Sequence, residues 1–140
     1  MTQPPPSVSS PAPVRGVRRL AAPLAVLAGV LAAFGYVGAV DPHEPGHYPV
    51  CPLWRLTGLY CPACGGLRGA HALAHGDLPA ALADNALAVL CYAVFATGWV
   101  AWCARGRPVA VRAGHAWALG GVALVFTIVR NLPFGGLLTP

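Results

Sequence analysis

The sequence predicts an all-α membrane protein with three transmembrane helices and a short interfacial helix that bears a Cys-Pro-x-Cys motif. Hydrophobic residues make up 56% of its 140 residues and charged residues only 9%. The mean hydropathy is +0.61, whereas a soluble domain of this size needs more polar surface. Three long runs without charged residues alternate with shorter segments that hold the arginines. This alternation is typical of membrane spans joined by short loops.

Each of the three runs is long enough to cross a bilayer as a helix. The runs cover residues 20–40, 86–104 and 113–129. At a rise of about 1.5 Å per residue, the first reaches about 30 Å, which is the thickness of a hydrocarbon core. A barrel strand would alternate polar and apolar residues, and a helix satisfies its own backbone groups in lipid. We therefore predict transmembrane helices at 20–40, 79–104 and 113–132.

The distribution of arginines predicts the orientation. Basic residues beside a span are retained in the cytoplasm. Three arginines precede the first span and three lie between the second and third, whereas the segment from 41 to 84 holds two arginines and all four acids. We predict a multi-pass protein of the inner (cytoplasmic) membrane with a cytoplasmic amino terminus and loop (105–112). The segment at 41–78 and the tail at 133–140 then face outward.

The first nineteen residues are predicted to form a disordered cytoplasmic tail rich in Pro and Ser. An alternative is that residues 1–40 form a cleaved signal peptide. The apolar core of a signal peptide is about 7–15 residues long, and the run from 20 to 40 exceeds that length. An uncleaved span is therefore favoured. The net charge of +5 follows from arginines beside the spans, so a nucleic-acid partner is not predicted.

The outer segment carries the most specific pattern in the chain. Cys51-Pro52 is followed by Thr57-Gly58 and then by Cys61-Pro62-Ala63-Cys64-Gly65, with Arg68, Gly76-Asp77 and Asn85 further along, and Arg130-Asn131 closes the last span. This pattern resembles the signature of an uncharacterised bacterial membrane-protein family, DUF (domain of unknown function) family 2752. The chain departs from it at Ala63 for Gly, Leu67 for Thr and Ala86 for Pro. The resemblance implies a small multi-helix membrane protein and brings no established activity.

A helix at about 64–75 is expected to follow the cysteine pair and to lie at the membrane interface. At 100° per residue, Cys64, Arg68, His71 and His75 share one face, and small apolar residues form the next. Cys64 then lies near the helix amino terminus. The helix dipole and Arg68, one turn away, are expected to lower the pKa of Cys64.

A zinc site is one interpretation of the outer cysteines. Thiolate and imidazole are the ligands that zinc prefers, and a Cys-x-x-Cys pair with histidines on the following helix supplies both types. The sequence leaves the fourth ligand open. The candidate metal ligands are Cys51, Cys61, Cys64, His71 and His75.

Two other interpretations involve disulfide chemistry. Cys61 and Cys64 can cycle between dithiol and disulfide as a membrane thiol-disulfide oxidoreductase, with Cys51 as the resolving thiol and Arg68 activating Cys64. Alternatively, Cys51 forms a structural disulfide with Cys61 or Cys64, the commonest use of cysteine outside the cytoplasm. The sequence favours a structural role, by disulfide or metal, over catalysis.

A set of polar residues is predicted near the outer ends of the spans: Asp77, Asp84, Asn85, Arg130 and Asn131. Polar groups at that depth usually pair with each other. Asp77, two residues before Pro79, is expected to cap a helix, and Arg130 is expected to extend toward the interface. The alternative is that the set forms a binding or assembly surface. The expected partners are the lipid bilayer and a second copy of the chain or another membrane protein.

Overall fold

The computed structural model describes residues 15–133 and 135, and every regular element in that part of the chain is a helix. The helices are α1 (Arg15–Ala39), α2 (Pro52–Thr57), α3 (Gly66–Ala74), α4 (Leu78–Arg105) and α5 (Ala113–Arg130). Three helical stretches, Arg19–Ala39, Leu78–Arg105 and Ala113–Arg130, are long and apolar enough to cross a membrane. The predicted all-α fold is confirmed. Residues 1–14 of the predicted amino-terminal tail, and residues 134 and 136–140 of the carboxyl-terminal tail, lie outside the described residues.

Small residues let α3 pack closely between α1 and α4. Ala70 and Ala72 of α3 are buried, as is Ala81 of α4. A Cβ atom at Gly69 would lie 3.1 Å from the Ala81 carbonyl oxygen, so a larger residue at this crossing would push the two helices slightly apart. This packing brings together the carboxyl end of α1, all of α3 and the first turns of α4 at one end of the molecule. We call it the cysteine end, because Cys61 and Cys64 lie in the loop just before α3.

α4 begins at a cap and is interrupted after two turns. The Asp77 carboxylate accepts a hydrogen bond of 2.9 Å from the Ala80 backbone N–H, so the predicted cap is confirmed. At Asn85 the backbone leaves the helical region, with φ −164° and ψ 93°. The Asn85 side-chain oxygen accepts from the Ala88 N–H at 2.9 Å, which is the bond of an N-cap residue. Asn85 therefore starts the helix a second time.

The interruption predicts that proline is tolerated at position 86. Ala86 is the first residue after the Asn85 cap, where a missing N–H costs little and a fixed φ suits the helix. We expect Ala86→Pro to change the free energy of unfolding by less than about 1 kcal/mol. Ala93→Pro, about two turns further into α4, is the matched control and should cost about 3 kcal/mol or more. Chemical denaturation in detergent micelles, followed by circular dichroism, measures both; equal losses would contradict this account of residue 85.

The opposite end of the molecule is held by contacts between α1 and the carboxyl half of α4. The Trp99 indole N–H donates to the carbonyl of Pro23, 2.9 Å away. The Arg19 side chain lies beside Gly106, whose φ of 66° ends α4. Between these two ends the long helices expose apolar side chains such as Leu31, Val94 and Val125. Such a surface fits a lipid environment.

Candidate functional site

Three cysteine sulfurs converge at the cysteine end. The Sγ atom of Cys61 lies 3.4 Å from that of Cys51 and 3.0 Å from that of Cys64. All three sulfurs lie within 4.8 Å of one another, and each residue is half-buried. The five cysteines of the chain are free thiols in the structure. The other two, Cys91 and Cys103, lie on α4 outside this group.

The helix α2, which the sequence patterns did not predict, places Cys51 in the cluster. Cys51 is its N-cap residue, Pro52 follows at the first helical position, and Gly58 ends the helix with φ 72°. Proline at the start and glycine at the end are the usual signals for a helix. Both stand in the sequence, but six residues were too few to show a periodic pattern.

The cysteine with the lowered pKa is Cys51, and the prediction for Cys64 is wrong. The backbone N–H of Trp54, together with the Cys64 and Cys61 thiols, lowers the pKa of Cys51 to about 7. Burial and the Cys61 and Cys51 thiols raise the pKa of Cys64 to about 12. Cys64 precedes α3 and its N-cap, Gly65, so the α3 amino terminus does not compensate for the lost hydration.

Asn85 holds the loop that carries Cys61 and Cys64. Only 1% of its surface is exposed. Its side-chain amide donates to the carbonyls of Pro62 and Cys64, at 2.9 and 2.8 Å. Since the same side chain caps the second part of α4, the position of the loop is tied to the break in the helix.

Arg130 approaches the same loop from α5. It is 1% exposed, so the expectation that it extends toward the interface is wrong. One terminal nitrogen donates to the carbonyls of Cys61 and Cys64, at 2.9 and 3.1 Å. The guanidinium lies 5.5 Å from the Tyr60 ring centroid and 5.0 Å from that of Phe126. Its Nε and second terminal nitrogen are buried without a hydrogen-bond partner among the described residues.

No carboxylate balances Arg130 in the part of the chain that the structure describes, where both ion pairs join a histidine to an acid in the loop before α2. A buried cation without a countercharge is costly. The groups able to carry negative charge that interact electrostatically with the guanidinium are the thiols of Cys64 and Cys61 and the Tyr60 phenol.

Asn131 completes the support of the loop by pairing with a backbone segment. Its side-chain oxygen accepts from the Tyr60 N–H at 2.8 Å, and its amide donates to the Tyr60 carbonyl at 2.9 Å. Of the predicted polar set, Asn85, Arg130 and Asn131 thus meet on the cysteine loop. Asp77 caps α4 instead, and Asp84 lies near Arg68, His43 and Asp77.

Residues 51–99 match the model of a family described as protein of unknown function (DUF2752). The match confirms the resemblance over this segment, which contains the three clustered cysteines and Asn85. Searches of curated proteins and of solved structures find no match. Arg130 and Asn131 lie outside the matched DUF2752 segment, and the structure shows that they bind its cysteine loop.

The two histidines of the DUF2752 segment are directed elsewhere. The His71 ring donates through Nδ1 to the Val37 carbonyl of α1, at 2.8 Å. His75 donates through Nδ1 to the His71 carbonyl at 2.9 Å, and the two rings lie 4.4 Å apart. Neither belongs to the group of ligand atoms formed by the three cysteines. The site therefore brings together three of the five predicted ligands.

An open cavity of about 670 Å³ lies in front of the sulfurs. Its walls include the loop at 42–46 and 48–50, the side chains of Trp54, Tyr60 and Arg68, and the three cysteines. Arg68 is half-buried and forms no ion pair with a described residue. Trp54 and Tyr60 were not predicted for the site, since α2 and the fold of the cysteine loop place them there.

Proposed function

We propose that the three cysteines bind one divalent metal ion of the zinc type as thiolates, and that this ion fixes the cysteine loop of a multi-pass membrane protein. The observation that carries the proposal is the triangle of sulfurs. Its edges measure 3.4, 3.0 and at most 4.8 Å. One ion can therefore lie at about 2.3 Å from each sulfur, which is the usual zinc–sulfur distance.

The charge around the site supports this proposal. Three thiolates and one divalent ion carry a net charge of −1, which the buried Arg130 balances. A disulfide with one neutral thiol carries no charge and leaves Arg130 without a countercharge among the described residues. Because a buried unpaired charge is strongly unfavourable, the anionic thiolate cluster suits its surroundings better.

We also propose that the cysteine end faces outward and that the amino terminus is cytoplasmic. Arg19, Arg105, Arg107 and Arg112 lie at the opposite end of the helices, around the start of α1 and the loop between α4 and α5. Basic residues beside a span are retained in the cytoplasm, which supports an outward-facing cysteine end and an inner membrane.

Metal content of cysteine variants tests the proposal. We expect the purified full-length protein to contain one zinc per chain, and Cys51→Ser, Cys61→Ser and Cys64→Ser each to lose it, since two thiolates do not hold zinc tightly. Cys91→Ser and Cys103→Ser are matched controls that should retain it. The measurement is elemental analysis by mass spectrometry after removal of free metal. Metal-free wild-type protein, or equal zinc in all five variants, would overturn the proposal.

Thiol–disulfide exchange is the second candidate, favoured by the lowered pKa of Cys51 beside two further thiols. In this reaction a Cys61–Cys64 disulfide oxidises a partner dithiol and is reduced to two thiols, and a second partner's disulfide reverses the change. Attack on a disulfide proceeds along the extension of the S–S bond. At the Cys61 sulfur, the directions to the Cys51 and Cys64 sulfurs form roughly a right angle or a smaller one. The three sulfurs are therefore far from the straight line that attack by Cys51 requires, and their arrangement suits a shared ion better.

Rapid alkylation distinguishes the candidates on the same protein. Thiols that react only after a zinc chelator is added support the metal site. A linked pair that mild reductant opens at once supports exchange. A linked pair that resists mild reductant identifies a structural disulfide.

A further inference from the structure

We infer that the fourth coordination position of the metal site is open to the cavity and is taken by a small anion from outside the chain. This inference rests on the proposed metal site and deepens it by naming the class of ligand. Three protein ligands with one open position distinguish a zinc site that binds an exogenous molecule from a closed structural site.

Among the described residues the chain supplies three ligands to the site, and the two histidines predicted as ligands are directed away from it. The Nδ1 atoms of His71 and His75 donate to the backbone carbonyls of residues 37 and 71, respectively. The ligand group among the described residues consists of Cys51, Cys61 and Cys64 alone. A fourth donor therefore has to approach from the side on which the sulfurs are accessible.

The sulfurs are accessible from the cavity. Each of the three cysteines is half-buried and lines its wall. The volume of about 670 Å³ lies within the range of small-molecule sites, about 300–1,000 Å³. Trp54 and Tyr60 give the wall aromatic surface, so a molecule with a short apolar part fits beside its donor atom.

Arg68 determines the charge of the ligand. Arg130 already balances the charge of a zinc–trithiolate centre, whereas Arg68 lines the same cavity and forms no ion pair with a described residue. Two acids lie nearby: Glu44, an exposed residue of the cavity wall that pairs with His47, and Asp84, which interacts electrostatically with Arg68. A second negative charge in the cavity, brought by a thiolate or a carboxylate, would be balanced by Arg68. A monoanion is therefore preferred to a neutral ligand.

Cobalt substitution tests the inference, because the visible bands of Co²⁺ report on its ligands. We expect the cobalt-loaded full-length protein in detergent to show a saturable change of these bands with acetate and with thiocyanate. Arg68→Gln should bind cobalt with unchanged stoichiometry and weaken the binding of both anions by about tenfold, as loss of a moderate charge interaction does. Arg68→Lys should recover part of the affinity. Arg55→Gln, on α2 and outside the cavity wall, is the control and should match the wild type.

The outcomes separate the inference from the proposed function. Failure to bind cobalt overturns both. Cobalt bands that anions leave unchanged overturn only the inference, and a change of these bands in His43→Ala, His71→Ala or His75→Ala identifies the fourth ligand as that histidine. If Arg68→Gln leaves anion binding unchanged, the inference is also overturned, because Arg68 then does not balance the charge of the ligand.

Discussion

Arg130→Met is expected to lower the affinity of the protein for zinc by about a hundredfold or more, because breaking a buried charge pair costs about 3–5 kcal/mol. Arg130 is 1% exposed and binds the carbonyls of Cys61 and Cys64. Methionine has a similar length and an apolar side chain, so it retains packing between Tyr60 and Phe126 while the charge is lost. The three thiolates and their ion then keep a net negative charge that the guanidinium no longer balances.

Competition with a chromophoric chelator measures this change in zinc affinity. Arg55→Met is the matched control, because Arg55 lies on the exposed surface of α2 and should leave the affinity unchanged. Arg130→Lys keeps the charge without the planar geometry and should fall between the two. Unchanged affinity in Arg130→Met would show that the guanidinium is not the countercharge of the site, and the charge argument for bound zinc would fall with it.

Asn85→Ala is expected to lower the free energy of unfolding by about 3 kcal/mol or more, since each unsatisfied buried polar group costs about 1–3 kcal/mol. The substitution leaves the Pro62 carbonyl and the Ala88 N–H without their partner, and it removes one of the two donors to the Cys64 carbonyl. It also removes the cap at which α4 begins again. The cysteine loop then loses its attachment to α4, so zinc binding should weaken as well.

Two further variants separate the roles of the Asn85 side chain. Asn85→Asp keeps the oxygen that caps Ala88 and removes both donors, so a loss nearly as large as that of alanine assigns most of the effect to the cysteine loop. Thr97→Ala is the control on α4, because the Thr97 hydroxyl donates only within its own helix, to Val94. Chemical denaturation in detergent micelles gives the free energies. An Asn85→Ala variant as stable as Thr97→Ala would contradict the structure of this loop.

Local signals in the sequence were enough to predict the three long helices, the helix after the cysteine pair and the cap of α4. The three spans follow from apolar runs of sufficient length, because a membrane requires a continuous apolar surface and internally paired backbone. Asp77 was recognised as a cap because the interaction reaches only three residues, to Ala80. Cys61 and Cys64 are three residues apart, so their proximity was also predictable. Only the short helix α2 was missed among the regular elements of the described chain.

The properties of the site depended on contacts between distant parts of the chain. Arg130 is 69 positions from Cys61, and His71 is 34 positions from Val37. A pattern of spacing on one helix, which placed His71 beside Cys64, cannot show that α1 offers a carbonyl to that histidine. Burial likewise depends on the elements that surround a group, and it raises the pKa of Cys64, which the sequence predicted to be lowered.

The sequence by itself determined the three membrane-spanning helices, the cysteine-rich segment between the first two and the cap of α4, because hydropathy, spacing and capping act over a few neighbouring residues. The tertiary structure alone decided which cysteine has a lowered pKa, where the histidines are directed and which residues hold the cysteine loop. Those properties follow from desolvation and from hydrogen bonds across the fold, and both depend on which distant residues come into contact.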